Sequence, residues 1–306
     1  MSEIIFTARY VVKQYGKKLA LNKFSMDIPR GSIYGFVGGN GAGKTTLMRI
    51  LSGRIKQTSG EIELFGEGGE KEVCAQRRQI GALIEMPALY LNMTASDNLE
   101  VLRLQQGTVG TNCITEVLKT VGLADVGMKK VKDFSFGMKQ RMGLAMALMG
   151  KKKFLVLDEP VNGLDPEGMI EFRETLKRLN QEHGITILIA SHHLSELNQL
   201  ATYYGFIHKG KMLEQIAAED LEKKCRSCLS IFVDDAKKAM VLLQGMFPQN
   251  ELKMVTEHKI YLYGFSGDTG AITEALVTGS VRVKEIKVRA NGLETYYMSL
   301  IKGVNV

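Results

Sequence analysis

Short apolar runs alternate with amphipathic segments through the first two thirds of the chain. Three of these runs are IYGFV, FLVL and ITILIA, at residues 33–37, 154–157 and 185–190. Their length and composition are typical of buried strands. Helical patterns lie at residues 43–51 and 166–182, and each is closed by a glycine, Gly53 or Gly184. Strands that alternate with helices in this way predict an α/β fold with a largely parallel sheet.

The pattern changes near residue 217. The segments CLSIFVDD, HKIYLYGF and VRVKEIKV have the composition of strands. Helical patterns accompany them at residues 236–246, 269–277 and 293–301. We therefore expect two domains, one at residues 1–216 and a small α+β accessory domain at residues 217–306.

The composition is that of an ordinary globular protein. The 306 residues are 45% apolar and 24% charged. No window approaches the roughly 18 uncharged apolar residues of a membrane-spanning helix. The first residues, MSEIIFTARYVVKQYG, lack the order of a secretion signal, and the four cysteines do not suggest a disulfide framework. These features indicate a protein of the reducing cytoplasm.

The formal net charge of +7 would suit a nucleic-acid or anionic-lipid partner. However, the basic residues are spread along the chain and form no long run. A solvated, charged surface explains that distribution equally well, and we favour it. No nucleic-acid partner is therefore expected.

The segment GGNGAGKTT, at residues 38–46, follows a predicted strand and opens a predicted helix. From Gly38 to Thr45 it has the spacing G-x-x-x-x-G-K-[ST] of a phosphate-binding loop. Glycines let backbone N–H groups close around phosphate oxygens, Lys44 reaches the β- and γ-phosphates, and the Thr45 hydroxyl ligates Mg²⁺. The residues expected to bind the nucleotide here are Gly38, Asn40, Gly41, Ala42, Gly43, Lys44, Thr45 and Thr46.

Two adjacent carboxylates, Asp158 and Glu159, end the apolar run in KFLVLDEP. Ligands of open parallel sheets collect at this end of the strands. We expect Asp158 to hold Mg²⁺ and Glu159 to act as the general base or to position the attacking water. The alternative is an exposed strand end that only caps a helix, and the phosphate loop in the same chain disfavours it.

The segment FSFGMKQR, about twenty residues before that strand, resembles the signature motif of the ABC ATPase family, usually LSGGQ followed by Gln-Arg. Further matches extend the resemblance over residues 4–214. It implies an ABC-type P-loop ATPase core, with a mostly parallel sheet, an antiparallel β part and a helical subdomain. It also implies that Ser135 and Gly137, at the N-terminus of a helix that starts near Met138, contact the γ-phosphate of ATP held by a second copy. The expected assembly is a homodimer with two ATP molecules sandwiched at its interface.

Other positions take their roles from the same resemblance. Tyr15 matches the aromatic residue that stacks on adenine. Asp165, in NGLDPEG, matches the segment that links the two sites of the dimer. His192, in IASHHLSEL, matches the histidine that contacts the γ-phosphate and orients Glu159. The neighbouring His193 is expected to be structural.

One position departs from the usual family pattern. In the segment IGALIE the family usually has Gln where this chain has Glu85. A charged oxygen there would bind Mg²⁺ more strongly than an amide and would add a third carboxylate to the site. This exchange, together with FSFGMKQR, resembles the ATP-binding subunits of bacitracin-resistance and lantibiotic-immunity exporters. We therefore expect Glu85 to contribute to both nucleotide and Mg²⁺ binding.

Cys225 and Cys228 form the motif CRSC, which has the spacing of half a zinc site or of a redox pair. The remaining cysteines, Cys74 and Cys113, are remote in the sequence. We therefore favour the interpretation that these are ordinary thiols without a metal.

Together the motifs predict the ATP-hydrolysing subunit of an ABC exporter, with ATP and Mg²⁺ as cofactors. It would drive separate integral-membrane permease subunits from the inner face of the cell membrane, and the exported compound would be an antimicrobial peptide or a drug. The alternative is a soluble ABC ATPase that acts on nucleic acid or on protein assembly. The basic charge slightly favours that alternative. Such proteins usually carry two cassettes or a long coiled-coil insertion, and neither is evident.

Overall fold

The chain divides into two units, Met1–Ala218 and Glu219–Val306. This computed structural model describes residues 3–192, 194–225, 228–265, 267–289 and 292–303. The division falls two residues beyond the boundary expected from the sequence. No helix within these ranges combines the length and apolar character needed to cross a membrane.

The first unit consists of strands, helices and short 3₁₀ turns that alternate along the chain. Its strands are β1 (Ile4–Tyr15), β2 (Lys18–Pro29), β3 (Ile33–Val37), β4 (Ser59–Leu64), β5 (Glu67–Gly68), β6 (Ile80–Leu83), β7 (Phe154–Asp158), β8 (Thr186–Ala190), β9 (Tyr203–His208) and β10 (Lys211–Ala217). Its helices are α1 (Lys44–Leu51), α2 (Glu70–Gln76), α3 (Ala95–Gln105), α4 (Asn112–Thr120), α5 (Phe136–Leu148), α6 (Pro166–His183) and α7 (Leu194–Asn198).

A six-stranded sheet of order β10-β9-β3-β8-β7-β6 forms the centre of this unit. Every neighbouring pair from β9 to β6 is parallel, and only β10 runs antiparallel to its neighbour. All residues of β3, β7 and β8 are buried, which explains why these strands are continuous apolar runs in the sequence. The predicted α/β fold with a largely parallel sheet is confirmed.

The first unit also contains the antiparallel β part and the helical subdomain that the family resemblance implies. An antiparallel sheet of order β2-β1-β4-β5 shares a hydrophobic core with β3 and α1, through side chains such as Phe24, Phe36 and Leu47. Helices α3, α4 and α5 pack against one another as a helical subdomain. Thr94 begins α3 with a capping box, because its hydroxyl accepts from Asp97 N and the Asp97 side chain accepts from Thr94 N.

The second unit is a small α+β domain. Its elements are α8 (Ala218–Cys225), which begins at the last residue of the first unit, β11 (Cys228–Val233), α9 (Ala236–Met246), β12 (Leu252–Thr256), β13 (Lys259–Tyr263), α10 (Thr269–Thr278), β14 (Val283–Arg289) and α11 (Leu293–Lys302). From β11 to β14 the order is βαββαβ, and the antiparallel sheet has the order β12-β13-β11-β14. This is the ferredoxin-like arrangement of two split βαβ units.

The core of the second unit lies between this sheet and the helices α9 and α10. Leu229, Ile231 and Ile260 project from the strands, and Leu243 and Ile272 project from the helices. All five side chains are buried. The unit therefore has a hydrophobic core of its own.

Replacing Ile231, which is fully buried, with Ala should lower the free energy of unfolding of the second unit by about 2–5 kcal/mol, because a cavity remains in its core. Hydrogen exchange of amides in β11 and β13 would measure the loss. Val288→Ala is the matched control, since that side chain is 71% exposed and should change little. Equal effects of the two substitutions would contradict the assignment of this core.

Candidate nucleotide-binding site

The loop between β3 and α1 is closed so tightly that two of its glycines have no room for a side chain. A Cβ on Gly43 would lie 2.7 Å from the carbonyl oxygen of Ala20, and Gly43 also has a φ of +116°. A Cβ on Gly38 would lie 2.6 Å from Cγ2 of Ile207. The cap residue of α1, Gly43, has no side chain to bond the first backbone N–H groups, so these groups suit an anion.

Lys44 is buried within this loop, with only 6% of the residue exposed. Its Nζ donates a hydrogen bond of 2.6 Å to the carbonyl oxygen of Gly38 and one of 3.4 Å to that of Gly39. A buried ammonium is costly unless it is hydrogen-bonded. The loop carbonyls therefore fix the charge at the position where a phosphate would enter.

The loop forms one wall of a cleft of about 370 Å³. Its lining residues are Tyr15, Lys18, Ala20, Gly39, Asn40, Gly41, Ala42, Gly43, Lys44, Thr45, Thr46, Glu85, Asp158 and Glu159. Most of the residues singled out in the sequence are thus brought together. The predicted residues that do not line this cleft are Gly38, Ser135, Gly137, Asp165 and His192.

Thr45 and Asp158 meet at the base of the cleft. The Thr45 hydroxyl donates a hydrogen bond of 2.6 Å to Oδ2 of Asp158. The other carboxylate oxygen, Oδ1, is buried and has no hydrogen-bond partner within the described part of the chain. Burial raises the pKa of Asp158, and the nearby charges of Glu159 and Glu85 raise it further, against the opposing effects of the Thr45 hydrogen bond and the Lys44 ammonium.

An unpaired, buried carboxylate oxygen beside a hydroxyl is a donor set that fits Mg²⁺, a hard cation that prefers oxygen ligands. Mg²⁺ is commonly held in such sites by one or two protein groups, with phosphates and water completing the shell. Among the described residues, no group of three or more His, Cys, Asp and Glu side chains could hold a metal alone. Asp158 and Thr45 therefore suit a metal that arrives with a nucleotide.

Glu159 follows β7 and contacts His192, which follows β8. Its Oε2 accepts hydrogen bonds from His192 Nδ1 at 2.7 Å and from His192 N at 3.2 Å. With Glu159 as a carboxylate, which only accepts, the contact to Nδ1 requires the tautomer that carries a proton on that nitrogen. Glu159 also has a φ of +50°, a left-handed conformation that costs energy in a residue with a Cβ and clusters at functional sites.

Glu85 lies just after β6 and has a second left-handed backbone, with a φ of +66°. Its Oε1 forms an ion pair with Nη2 of Arg49, in the last turn of α1. Arg49 is not among the residues predicted from the sequence. The two residues are 36 positions apart, and no spacing in the sequence connects them.

Tyr15 lies at the rim of the cleft, at the end of β1, with 46% of the residue exposed. The ammonium of Lys13 lies 5.1 Å from the centroid of its ring, in the range of a cation–π contact. An adenine that stacked on Tyr15 would have to use the ring face opposite Lys13 or displace that ammonium.

Ser135 and Asp165 each cap a helix within the single chain. Ser135 Oγ accepts from Met138 N at 3.2 Å, and Asp165 Oδ1 accepts from Gly168 N at 3.0 Å. Because of the first cap, α5 begins at Phe136 rather than near Met138 as the sequence suggested, and Gly137 lies inside its first turn. His193 lies outside the described residues.

Cys225 and Cys228 of the CRSC motif are thiols and form no disulfide within the described residues. Burial raises the pKa of Cys225, and Cys228 is buried. A raised pKa lowers the fraction of reactive thiolate. Neither cysteine belongs to a metal-binding cluster within the described residues.

The loop, the two carboxylates and the histidine define a P-loop nucleotide-binding ATPase. Comparison with known proteins narrows this class. A family described as ABC transporter matches residues 21–162, and an AAA domain family matches residues 130–198. The chain belongs to the family of ABC transporter ATP-binding proteins, and it is an ATPase of the kind that couples hydrolysis to transport.

Two relatives illustrate the match. The bacitracin transport ATP-binding protein BcrA of Bacillus licheniformis is 41% identical over 303 residues, which cover 99% of each chain. The lantibiotic transport ATP-binding protein SrtF of Streptococcus pyogenes is 44% identical over 214 residues, 69% of this chain and 91% of that protein. The resemblance to this subgroup, based on FSFGMKQR and Glu85, is confirmed.

Solved structures agree on the fold. A dimeric ATP-binding cassette in a post-hydrolysis state, bound to ADP and Pi, is 23% identical, covers 70% of this chain and 99% of its own, and has a TM-score of 0.63. The protein cbiO1 of Clostridium perfringens, part of the ABC transporter complex cbiONQ, is 26% identical, covers 73% of this chain and 92% of its own, and has a TM-score of 0.64. The expected ABC-type ATPase core is therefore confirmed.

Asp158→Asn should stabilise the nucleotide-free chain at neutral pH, by about 1–3 kcal/mol, because it removes a buried charge with an unpaired oxygen. Folding raises the pKa of Asp158, so the folded chain binds this proton more tightly than the unfolded chain does. Wild type therefore loses stability as the pH rises from the ordinary pKa value of 3.8 through the raised one. The advantage of the variant should grow over that window and then level off.

Melting temperatures of the two proteins across this pH range would measure the difference. Asp97→Asn is a control, because the pH dependence of its effect on stability should have the opposite sign. Hydrogen bonds from Thr94 lower the pKa of Asp97, so that carboxylate stabilises the fold above its ordinary pKa, and the contribution is lost as the pH falls. If the melting temperatures of wild type and the Asp158 variant differed by the same amount at every pH, the prediction would be wrong.

Proposed function

We propose that the chain is the ATP-hydrolysing subunit of an ABC exporter for an antimicrobial peptide or drug. The observation that carries the proposal is the convergence of Lys44, Asp158 and Glu159 on one cleft. The names of two relatives, a bacitracin and a lantibiotic transport protein, support the class of substrate. In such a system the specificity for the exported compound would reside in the permease subunits.

ATP would bind with its phosphates in the loop before α1 and its adenine near Tyr15. Backbone N–H groups at the start of α1 and the Lys44 ammonium would hold the β- and γ-phosphates. Thr45, Asp158 and Glu85 would hold Mg²⁺. When bound, the metal would neutralise phosphate charge and orient the γ-phosphate.

Hydrolysis needs a water molecule aligned with the γ-phosphorus. Glu159 is the group suited to orient that water and to accept its proton. The hydrogen bonds from His192 to Oε2 hold one oxygen of this carboxylate and would direct the other towards the cleft. His192 acts in this scheme mainly as the residue that orients Glu159, with the γ-phosphate as its second contact.

The ATP site would be completed by a second copy of the chain. Ser135, Gly137 and Asp165 do not line the cleft of their own chain, and Ser135 is exposed. The first turn of α5 presents a hydroxyl, a glycine backbone and the positive end of a helix dipole, which together suit a phosphate. In a dimer with two ATP molecules at its interface, each chain would complete the ATP site of the other.

Integral-membrane permease subunits would dock beside Glu85, with this chain peripheral to the inner face of the cell membrane. The loop after Glu85 exposes Met86, Tyr90 and Leu91, whose exposed fractions are 63%, 51% and 51%. Such a cluster is typical of an interaction surface. A partner bound there would contact the same loop that carries the proposed magnesium ligand, so a shift of the loop would couple hydrolysis to transport.

Glu159→Gln should form a dimer that is stable enough to isolate when Mg·ATP is added, because disabling water activation traps the closed state. Light scattering after size exclusion should show the mass double. Adding Ser135→Arg should abolish the dimer and leave ATP binding intact. Thr111→Arg, at the start of α4, is the control for an added charge at a helix terminus. If the Glu159 variant binds Mg·ATP and stays monomeric, the proposed dimer is wrong.

Leu91→Asp should weaken association with the permease subunits about tenfold, as expected for a buried apolar contact at an interface, and leave ATP binding unchanged. Co-purification with a polytopic membrane protein from detergent-solubilised membranes would measure the effect. Val109→Asp, at a position 96% exposed, is the matched control. Binding to RNA or DNA with a steep salt dependence would favour the soluble alternative instead.

A further inference from the structure

Two arginines contact the segment that carries Glu85: Arg49, in the last turn of α1, and Arg54, three residues after that helix ends. Nη2 of Arg49 forms an ion pair with Oε1 of Glu85. Nη1 of Arg54 donates a hydrogen bond of 3.2 Å to the carbonyl oxygen of Ile84, the preceding residue. The helix that begins with Lys44 at the phosphate loop, together with the turn that follows it, therefore also contacts the loop after β6.

The ion pair lies at the cleft and remains open to solvent. Glu85 lines the same cleft as Thr45 and Asp158. The exposed fractions of the Arg49 and Glu85 side chains are 36% and 58%. A side chain with this exposure can exchange one cationic partner for another without first leaving a buried site. In the nucleotide-free chain the partner of Glu85 is the guanidinium of Arg49.

A carboxylate oxygen that ligates Mg²⁺ cannot keep the same geometry with a guanidinium. The metal requires close approach and near-octahedral angles, whereas the guanidinium takes the oxygen along an N–H bond. Arg49 also neutralises a carboxylate that would otherwise repel the phosphates of an entering nucleotide. An arginine in this position would thus favour nucleotide binding without the metal and oppose it with the metal.

We propose that Arg49 is a positioning residue that holds and neutralises Glu85 in the absence of metal and competes with Mg²⁺ for its carboxylate. The inference rests on the proposed function, in which Glu85 binds Mg²⁺. Arg49 sets how strongly nucleotide affinity depends on Mg²⁺. Because exposed ion pairs are weak, the effect is a graded adjustment of that dependence.

The test is the affinity of the full chain for a fluorescent, non-hydrolysable ATP analogue, mant-AMP-PNP, measured in excess Mg²⁺ and in EDTA. The quantity of interest is the dissociation constant in EDTA divided by that in Mg²⁺. Arg49→Ala should raise this ratio about two- to fivefold, the range expected for an exposed ion pair. Without Arg49, the free carboxylate repels the metal-free analogue and attracts the metal-bound one.

A double-mutant cycle assigns the effect to Glu85. Glu85→Gln alone should lower the ratio, and adding Arg49→Ala to that variant should leave the ratio unchanged. Arg49→Lys should restore part of the wild-type value. Arg30→Ala is the matched control, because Arg30 pairs with Glu3 at exposed fractions of 43% and 65% and does not line the cleft. It should not alter the ratio.

The outcomes separate two failures. If Glu85→Gln lowers the ratio and Arg49→Ala does not raise it, the competition by Arg49 is wrong and the metal role of Glu85 stands. If Glu85→Gln leaves the ratio at the wild-type value, the metal role of Glu85 fails, and the inference fails with it. An equal effect of Arg49→Ala on both dissociation constants would show a merely structural role.

Discussion

Parallel pairing of β3, β7 and β8 is the constraint on which the site depends. In this register Phe36 and Asp158 both lie beside Ala190, so the three strands end at one level. The phosphate loop follows the first strand, the two carboxylates end the second and His192 follows the third. Since each strand is buried on both faces, a shift of register would cost apolar burial as well as hydrogen bonds. The hydrophobic core thereby fixes the relative positions of the phosphate loop, the two carboxylates and His192, although these groups contribute little to the core.

The site itself costs stability. Asp158 is buried with an unpaired oxygen, and Glu85 and Glu159 both have left-handed backbones. Each feature is unfavourable for folding, and in the proposed function these residues would hold a metal or a water molecule. The Thr45 hydroxyl and His192 each contact one of these carboxylates. Burial of apolar side chains in the core of the first unit offsets the free energy that these features cost.

The sequence predicted those features that depend on local pattern. The strand at residues 33–37 and the helix at residues 236–246 have the predicted bounds, because their apolar periodicity is uninterrupted. The loop at residues 38–46 was predicted because its spacing of glycines, lysine and threonine is specific to phosphate-binding loops. The Arg49–Glu85 pair and the ferredoxin-like strand order were missed, since both depend on which distant segments meet in space. The start of α5 was placed late because the Ser135 cap, and not hydrophobic periodicity, determines where that helix begins.

The hydrogen bonds between Lys44 and the loop carbonyls have a consequence for how fast a nucleotide can bind. The ammonium already has acceptors in the nucleotide-free chain, at Gly38 and Gly39. Arrival of a phosphate would therefore exchange one set of acceptors for another, and no disordered segment would have to become ordered. The entropy cost of shaping the loop is met when the protein folds. Association at this site should accordingly be limited by diffusion and by the release of water, and differences in affinity should be expressed in the rate at which the nucleotide leaves.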